Sequence, residues 1–316
     1  MLNNIQVLRA FAAIIVVIFH IAIAGESYKI PSEILGLTGS FGRSGVDIFF
    51  VISGFIMVYT QHNKSTSPVK FIKDRVIRIV PIYWFYSVLL LMLYLLIPSA
   101  FREFEPNKSF ILSSFLFSSE WVFSKHPLLY VGWTLEYEML FYVVFSISLV
   151  FSELKYRFII PVLFILLLPL LKNIDFIIYE FLFGMLVAKL YLSGFLKSQG
   201  FLVFGFGLAL LYVFLLLPYE LHRVLLFGLP AFFIVLSVLY LPIIKNKLLL
   251  HLGNASYSIY LIQVFTIPTS YKFGTMYLTF LDANVIAILA LLVTLVGGSL
   301  SYICVERPIT KFLKKY

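Results

Sequence analysis

The chain has few charged residues and a single cysteine. Of its 316 residues, 12% are Asp, Glu, Lys or Arg, whereas 61% are hydrophobic. Because soluble domains carry about 25% charged residues, this composition excludes a soluble protein and indicates a chain that crosses a membrane several times. The lone Cys304 excludes an internal disulfide and a metal site built from several cysteines.

Apolar runs follow one another along the whole chain, and no hydrophilic insert is long enough to form a second domain. A helix of roughly 20 residues crosses a bilayer. We therefore predict an all-α polytopic membrane protein, with a single transmembrane domain over residues 1–316 and ten helices. The predicted spans, each with a margin of several residues at its ends, are 5–24, 45–61, 79–98, 132–151, 158–171, 176–192, 201–217, 224–244, 255–271 and 283–305.

The basic residues are unevenly distributed between the two sides of this topology. If the N-terminus is cytoplasmic, 16 of the 24 Lys and Arg residues fall on inner loops and span ends, and the outer loops hold the other eight. This positive-inside pattern predicts that both termini are cytoplasmic, and it accounts for the net charge of +9 without nucleic-acid binding. The alternative, a signal peptide cleaved after Ala24, would leave nine spans and spoil the asymmetry.

Two ionisable residues lie in the first span. Arg9 and His20 are eleven residues apart, so an α-helix turns about 1100° and rises about 16 Å between them, and both project from nearly the same face. An ionisable group within a span usually faces the protein interior or a wet cavity and marks a functional site. The alternative is a structural histidine and an arginine that reaches a lipid headgroup.

Further candidates lie near the ends of later spans. Asp47, near the outer end of the second span, is a candidate for substrate binding, and the alternative is a helix cap. Arg75 and Arg78 stand on one helical face in a basic inner loop, 62–80, just before the third span. Paired guanidinium groups suit phosphate, and the alternative is ordinary orientation charge. The apolar middle of the long outer stretch 99–131 predicts a short helix that either lies at the outer surface or re-enters the bundle. In that place it would roof an outward-facing site.

The fourth span begins with two glutamates two positions apart. Glu136 and Glu138 point about 200° apart around a helix, so they cannot share one narrow site. Glu138 shares a face with Thr134 and Tyr142, which makes it the better candidate for a hydrogen-bonded role in the interior. We expect Glu136 to reach the outer interface.

Taken in order, these segments resemble the membrane-bound acyltransferase-3 family over essentially the whole chain. The segments that carry the resemblance are Arg9 with His20, Gly45 to Phe55 (GVDIFFVISGF), Arg75 to Tyr83 (RVIRIVPIY), Trp133-Thr134-Leu135 with Glu138 and Phe141-Tyr142, Leu252 to Leu261 (LGNASYSIYL), and Glu306-Arg307-Pro308. Two features depart from the family. Gln263 stands where the family often has a histidine. Many relatives continue after the bundle into a soluble esterase-like domain, whereas this sequence stops at Tyr316, so we expect the membrane domain alone, or a partner, to serve the acceptor.

The resemblance implies a bacterial inner-membrane enzyme that transfers an acyl group, most often acetyl, from cytoplasmic acyl-CoA to a hydroxyl of an envelope glycan or lipid-linked glycan, without a metal. On this expectation Arg75, Arg78 and Arg9 receive the CoA phosphates, and His20, about 16 Å deeper along its helix, is the general base or the acyl carrier.

Glu138 then orients the imidazole or binds the sugar, and Asp47, Trp133 and Tyr142 contribute to acceptor binding. A second copy of the chain or a partner in envelope biosynthesis is compatible with this function. The alternative functions are a transporter or exporter that uses buried Arg, His and Glu residues, and a non-catalytic envelope scaffold.

Overall fold

A computed structural model of the chain describes residues 2–36, 41–62, 64, 66–98, 107–170, 174–195, 199–216 and 222–315. Parts of several predicted segments lie outside the described residues. They are 37–40 of the first outer loop, 99–106 of the long outer stretch, positions 171 and 217 at the ends of two predicted spans, and Lys197 of the inner basic set.

The described ranges form α-helices and no β-strand, which confirms the all-α fold class. The helices are α1 (Asn3–Ser27), α2 (Glu33–Gly36), α3 (Ser44–Gln61), α4 (Pro68–Leu96), α5 (Lys108–Phe115), α6 (Ser119–Phe123), α7 (Trp133–Ser148), α8 (Leu154–Leu167), α9 (Tyr179–Leu192), α10 (Gly200–Leu216), α11 (Leu229–Val238), α12 (Lys247–Asn254), α13 (Ser256–Tyr277), α14 (Ala283–Ser301) and α15 (Arg307–Leu313).

Each predicted span contains one of the longer helices, but the helices differ in their capacity to cross a bilayer. Among the described residues, four helical stretches are long and apolar enough: Asn3–Ser27, Phe41–Gln61, Pro68–Leu96 and Ala283–Leu313. A fifth is the pair α12 and α13, which passes only as one span bent by 70°. The helices α10 and α11 are apolar and shorter. The chain is therefore a membrane protein, and the number of ten spans stays a prediction.

The expectation of a basic inner loop over 62–80 is wrong for most of that segment. The helix α4 begins at Pro68, where the Ser67 side chain accepts a hydrogen bond from the Lys70 backbone N–H at 3.3 Å. A serine N-cap followed by proline at the first helical position is a strong helix start. Arg75 and Arg78 therefore lie on α4 and not in a loop before it.

The chain folds as two compact units, each assembled from segments that are distant in the sequence. The first unit comprises Met1–Asn63 and Tyr179–Tyr302. Its core forms where α3 crosses α9, and glycines occupy the crossing. A Cβ on Gly54 would lie 2.1 Å from the Phe181 carbonyl oxygen, and one on Gly184 would lie 2.1 Å from the Val51 carbonyl oxygen. The two backbones thus touch, as in small-residue helix packing in membranes.

The second unit comprises Lys64–Ile178 and Ile303–Tyr316. In it α4 lies beside α7, with the Phe71 and Phe145 ring centroids 5.4 Å apart. The predicted short outer helix is present as two, α5 and α6. Buried serine hydroxyls join them, because Ser119 Oγ lies 3.1 Å from Ser113 Oγ and 3.0 Å from Ser114 Oγ.

Candidate active site

His20 lies near the C-terminal end of α1, half-buried, with its Nδ1 atom 2.9 Å from the Val16 carbonyl oxygen. A carbonyl oxygen can only accept, so Nδ1 carries the proton in this contact. In the neutral imidazole the lone pair is then on Nε2, the form in which a histidine acts as a base. The Phe19 ring packs edge-on against the imidazole, with the centroids 5.2 Å apart.

The turn of α1 that holds His20 is in close contact with the start of α3. A Cβ on Gly45 would lie 2.5 Å from the Ala12 carbonyl oxygen and 2.6 Å from Val16 Cγ2. A Cβ on Gly42 would lie 2.4 Å from Phe19 Cβ. These glycines therefore allow a backbone approach that no other residue would permit without displacing α1.

Arg9 is 8% exposed, and its Nη2 donates a hydrogen bond to Ser256 Oγ at 2.9 Å. One turn earlier, the Gln6 amide donates to Asn254 Oδ1. Gly253 lies directly against α1, since a Cβ there would be 2.0 Å from the Gln6 carbonyl oxygen. The break between α12 and α13 is thus built around the first half of α1.

Asp47 is fully buried in the first turn of α3 and forms a bidentate ion pair with Arg223. Its Oδ1 accepts from Arg223 Nε at 3.2 Å, and its Oδ2 accepts from Nη2 at 2.9 Å. Arg223 is not among the candidate residues predicted from the sequence. The only signal for it is that a carboxylate buried in a membrane helix requires a cationic partner.

Arg75, Glu138 and Tyr142 are brought together in the second unit. The Arg75 guanidinium lies over the rings of Phe71 and Tyr142, 5.3 and 5.8 Å from their centroids. The Tyr142 hydroxyl donates to the Glu138 carboxylate, and Arg75 interacts electrostatically with Glu138. Arg78, half-buried one turn along α4, also acts electrostatically on Arg75.

The expectation that Glu136 reaches the outer interface is wrong. Its side chain is fully buried, and its two oxygens accept the backbone N–H groups of Ser119 and Glu120 at 2.9 and 3.0 Å. This carboxylate therefore attaches the first turn of α6 to α7. The half-buried Trp133 stands at the start of α7, with its ring centroid 6.0 Å from that of His126.

The candidate residues thus form two groups. Arg9, His20 and Asp47 belong to the first unit. Arg75, Arg78, Trp133, Glu138 and Tyr142 belong to the second. Among the described residues no cluster of three or more His, Cys, Asp or Glu side chains could hold a metal ion.

Comparison with known proteins identifies the chain at the family level. The sequence profile of the acyltransferase domain known as acyltransferase-3 matches residues 2–303. The chain belongs to the acyltransferase-3 family. It is also 34% identical over 300 residues to the "Exopolysaccharide production protein ExoZ" of Rhizobium meliloti (strain 1021). The aligned region covers 86% of this chain and 90% of that protein. No solved structure matches the chain.

The structure gives physical reasons for two features of this acyltransferase-3 chain. The Leu252 to Leu261 motif supplies the residues that contact α1, namely Gly253, Asn254 and Ser256. Gln263, the departure from the family pattern, is fully buried and donates to the Tyr260 carbonyl oxygen at 2.9 Å. A primary amide does not take up a proton near neutral pH, so Gln263 offers no second base.

Proposed function

We propose that this acyltransferase moves an acyl group, with acetyl as the first candidate, from cytoplasmic acyl-CoA to a hydroxyl of an exopolysaccharide or another envelope glycan, free or lipid-linked. Family membership supports acyl transfer. The relative named for exopolysaccharide production supports a glycan acceptor, because the similarity extends over most of both chains.

The observation that carries the catalytic part of the proposal is the contact of His20 Nδ1 with the Val16 carbonyl oxygen. It leaves Nε2 of the neutral imidazole able to accept the proton of the acceptor hydroxyl. As that proton moves to Nε2, the hydroxyl oxygen bonds to the thioester carbonyl carbon. The C–S bond then breaks, and the CoA thiolate takes the proton back from the imidazole.

A second route gives the same products through a covalent intermediate on His20. Nε2 attacks the thioester carbonyl carbon, the C–S bond breaks, and CoA leaves as its thiolate. The hydroxyl oxygen then attacks the acyl carbon, the bond between Nε2 and the acyl group breaks, and the hydroxyl proton passes to the thiolate. Both routes require Nε2 to be unprotonated at the start and Nδ1 to be held in place. Arg9 lies on the same helix as His20, and its hydrogen bond to Ser256 of α13 fixes the first half of α1.

For the donor, we assign the CoA phosphates to Arg75 and Arg78. Two guanidinium groups one helical turn apart can bind phosphate oxygens bidentately. The faces of Phe71 and Tyr142 hold the Arg75 guanidinium by cation–π contacts. The Arg75 Nε is buried and has no hydrogen-bond partner within the part of the chain that the structure describes. The Tyr142–Glu138 hydrogen bond keeps the tyrosine ring in place beneath this guanidinium.

For the acceptor, Trp133 is the most suitable of the three residues that the sequence suggested. Its half-buried ring at the start of α7 offers a surface on which a sugar can stack. Asp47 is already engaged by Arg223, and the Tyr142 hydroxyl by Glu138. We place the protein in the bacterial inner membrane, with both termini in the cytoplasm, on the strength of the charge distribution.

The test is transfer of radiolabelled acetyl from acetyl-CoA to purified exopolysaccharide by the protein in proteoliposomes. His20→Ala should lower transfer by the roughly 10²- to 10⁴-fold typical of general acid–base catalysis. His20→Gln should be nearly as inactive, because an amide keeps the hydrogen bonds but cannot accept a proton.

His62→Ala is the matched control, since this histidine lies directly after the C-terminal end of α3 and outside the candidate site. Labelled glycan made by His20→Gln at the wild-type rate would refute His20 as the base or acyl carrier. No labelled glycan from the wild-type protein with any acyl-CoA would refute acyl-CoA as the donor.

A further inference from the structure

The Asp47–Arg223 pair in the first unit has no part in the chemistry described so far. The Asp47 side chain is fully buried, and the Arg223 side chain is 29% exposed. Burying a carboxylate costs several kcal/mol unless it is paired with good geometry. Here both oxygens are engaged by one guanidinium, so the pair fixes the orientation of the first turn of α3 as well as its position.

Arg223, the cationic member of the pair, lies next to an irregular helical turn. Arg223 directly precedes a π-helical turn, Val224–Gly228, which leads into α11. Isolated π turns cost regular hydrogen bonding and are common at functional sites. Gly228, at the end of this turn, lies against the buried Glu180 of α9, since a Cβ there would be 3.0 Å from its Oε1 atom. The turn is therefore held from α9 as well as from α3.

A short path of contacts leads from Asp47 to His20. Asp47 is two residues after Gly45, whose backbone lies against Ala12 and Val16 of α1. Val16 supplies the carbonyl oxygen that fixes His20 Nδ1. Gly42 lies against Phe19, whose ring packs on the imidazole. Val16 and Phe19, two residues that contact the imidazole, thus rest on the segment that the ion pair holds in place.

We propose that Arg223 is a positioning residue for His20, and that it acts through Asp47 and the Gly42–Gly45 contact with α1. This inference rests on the proposed role of His20 in acyl transfer. The ion pair locks the first turn of α3, and that turn fixes the imidazole through Val16 and Phe19. A side chain 203 positions away in the sequence thus contributes to the placement of the base.

The kinetic test compares Arg223→Gln, Asp47→Asn and Arg223→Lys with the wild-type protein at equal amounts of folded protein. Displacing a reacting group by about 1 Å costs up to about 100-fold in rate. We expect Arg223→Gln and Asp47→Asn to lower kcat by about 10- to 100-fold, while KM for acyl-CoA and for the glycan changes less than about twofold. Arg223→Lys retains one charged contact with Asp47, so its kcat should fall less than that of Arg223→Gln.

The control for removal of a charge is Lys155→Gln, which breaks the exposed Glu153–Lys155 pair of the second unit. The double variant Asp47→Arg with Arg223→Asp restores opposite charges at the two positions. Its kcat should be higher than that of the less active of the two single variants, Asp47→Arg and Arg223→Asp. An unchanged kcat in Arg223→Gln would overturn the proposal. So would a rise in KM for the glycan at constant kcat, because that result would make the pair an acceptor-binding element.

A second measurement does not depend on activity. Diethyl pyrocarbonate modifies unprotonated imidazole, and mass spectrometry resolves the rate at His20 from the rates at His62 and His251. We expect Arg223→Gln and Asp47→Asn to change the His20 rate several-fold and to leave the two reference histidines unchanged. An unaltered His20 rate in both variants would overturn the positioning role. If the wild-type protein shows no acyl transfer, the proposed function fails, but this measurement can still be made.

Discussion

At the residue scale, contacts with close neighbours shape the properties of the candidate side chains. The Val16 carbonyl oxygen engages Nδ1 of His20, and this contact favours the tautomer that the proposed role as a base requires. The Arg75 guanidinium lies over the rings of Phe71 and Tyr142, and these cation–π contacts restrict its position. Asp47 is tolerated in the interior because Arg223 engages both of its oxygens.

Replacing Arg78 should affect the donor more than the chemistry. If Arg78 binds a CoA phosphate, Arg78→Ala loses a charge-assisted contact of about 1.5–3 kcal/mol, which raises KM for acyl-CoA by about 10- to 150-fold. Arg78→Lys retains the charge but not the bidentate geometry, so its KM for acyl-CoA should lie between those of the wild-type protein and Arg78→Ala. Steady-state kinetics at saturating glycan provides the measurement. Normal KM in a correctly inserted Arg78→Ala protein would reduce this residue to an orientation charge.

The segment that joins α6 to α7 should respond to pH through His126. Its hydrogen bond with the Glu120 carboxylate raises the pKa of His126. Partial burial lowers this pKa by a smaller amount, so the net shift is upward. The folded pKa lies above the ordinary value of about 6.5, so the pair stabilises this segment fully below that value. The stabilisation is lost as the pH rises through the folded pKa.

Tryptic cleavage after the exposed Lys125 measures this effect. The rate for His126→Gln divided by the rate for the wild-type protein cancels the pH dependence of trypsin. We expect this ratio to be largest below about pH 6.5 and to approach one well above the folded pKa. A ratio that does not vary with pH would contradict the role of the His126–Glu120 pair.

At the element scale, glycine spacing sets the helix packing of the first unit. Gly54 and Gly184 bring α3 and α9 into backbone contact, and Gly42 and Gly45 do the same for the start of α3 and α1. Between helices surrounded by lipid, such close approach supplies much of the attraction, because lipid tails are as apolar as the side chains.

Gly54→Ala should destabilise the folded protein. Its Cβ would lie 2.1 Å from a backbone carbonyl oxygen, so the helices must separate. Overpacking of this kind costs about 1–3 kcal/mol. The matched control is Gly205→Ala within α10, where a Cβ meets nothing within 4 Å and where alanine should stabilise the helix by about 0.5–1 kcal/mol. Thermal unfolding in detergent, followed by circular dichroism, should show shifts of opposite sign.

At the scale of the whole molecule, contacts within the first unit join helix ends that the ten-span topology puts on one side. The Asn4 amide at the start of α1 donates to the Val238 and Leu241 carbonyl oxygens, both at 3.0 Å, at the end of α11. Ser32, from the predicted first outer loop, donates to the side chain of Asn284 at the start of α14 at 2.8 Å. The ten-span topology itself stays a prediction.

The orientation of the chain should be testable with its one cysteine. Replacing Cys304 with serine gives a cysteine-free background, into which Lys315→Cys places a thiol near the C-terminus. Because basic residues favour the inner side, a membrane-impermeant maleimide should not label intact spheroplasts and should label them after lysis. Asn284→Cys, near the predicted outer end of the last span, provides the opposite control. Labelling of Lys315→Cys in intact spheroplasts would refute cytoplasmic termini.

Part of this structure could be predicted from short-range signals. Hydropathy over about 20 residues locates membrane helices because the bilayer acts on each segment independently. The motifs around Arg9, His20, Arg75 and Glu138 carry part of the resemblance to the family, whose profile matches residues 2–303. The start of α4 was also readable, since Ser67 and Pro68 form an N-cap signature that the high charge of the segment obscured.

The sequence by itself determined that the chain is an all-α membrane protein with an acyltransferase motif set, because hydropathy and spacing are local properties. Only the tertiary structure decided which glutamate is buried by the α5–α6 segment, since Glu136 and Glu138 differ merely in helix face. It also decided that Asp47 pairs with Arg223, 176 residues away. Such pairings depend on how helices pack, and the pattern within one segment does not encode which distant segment will lie against it.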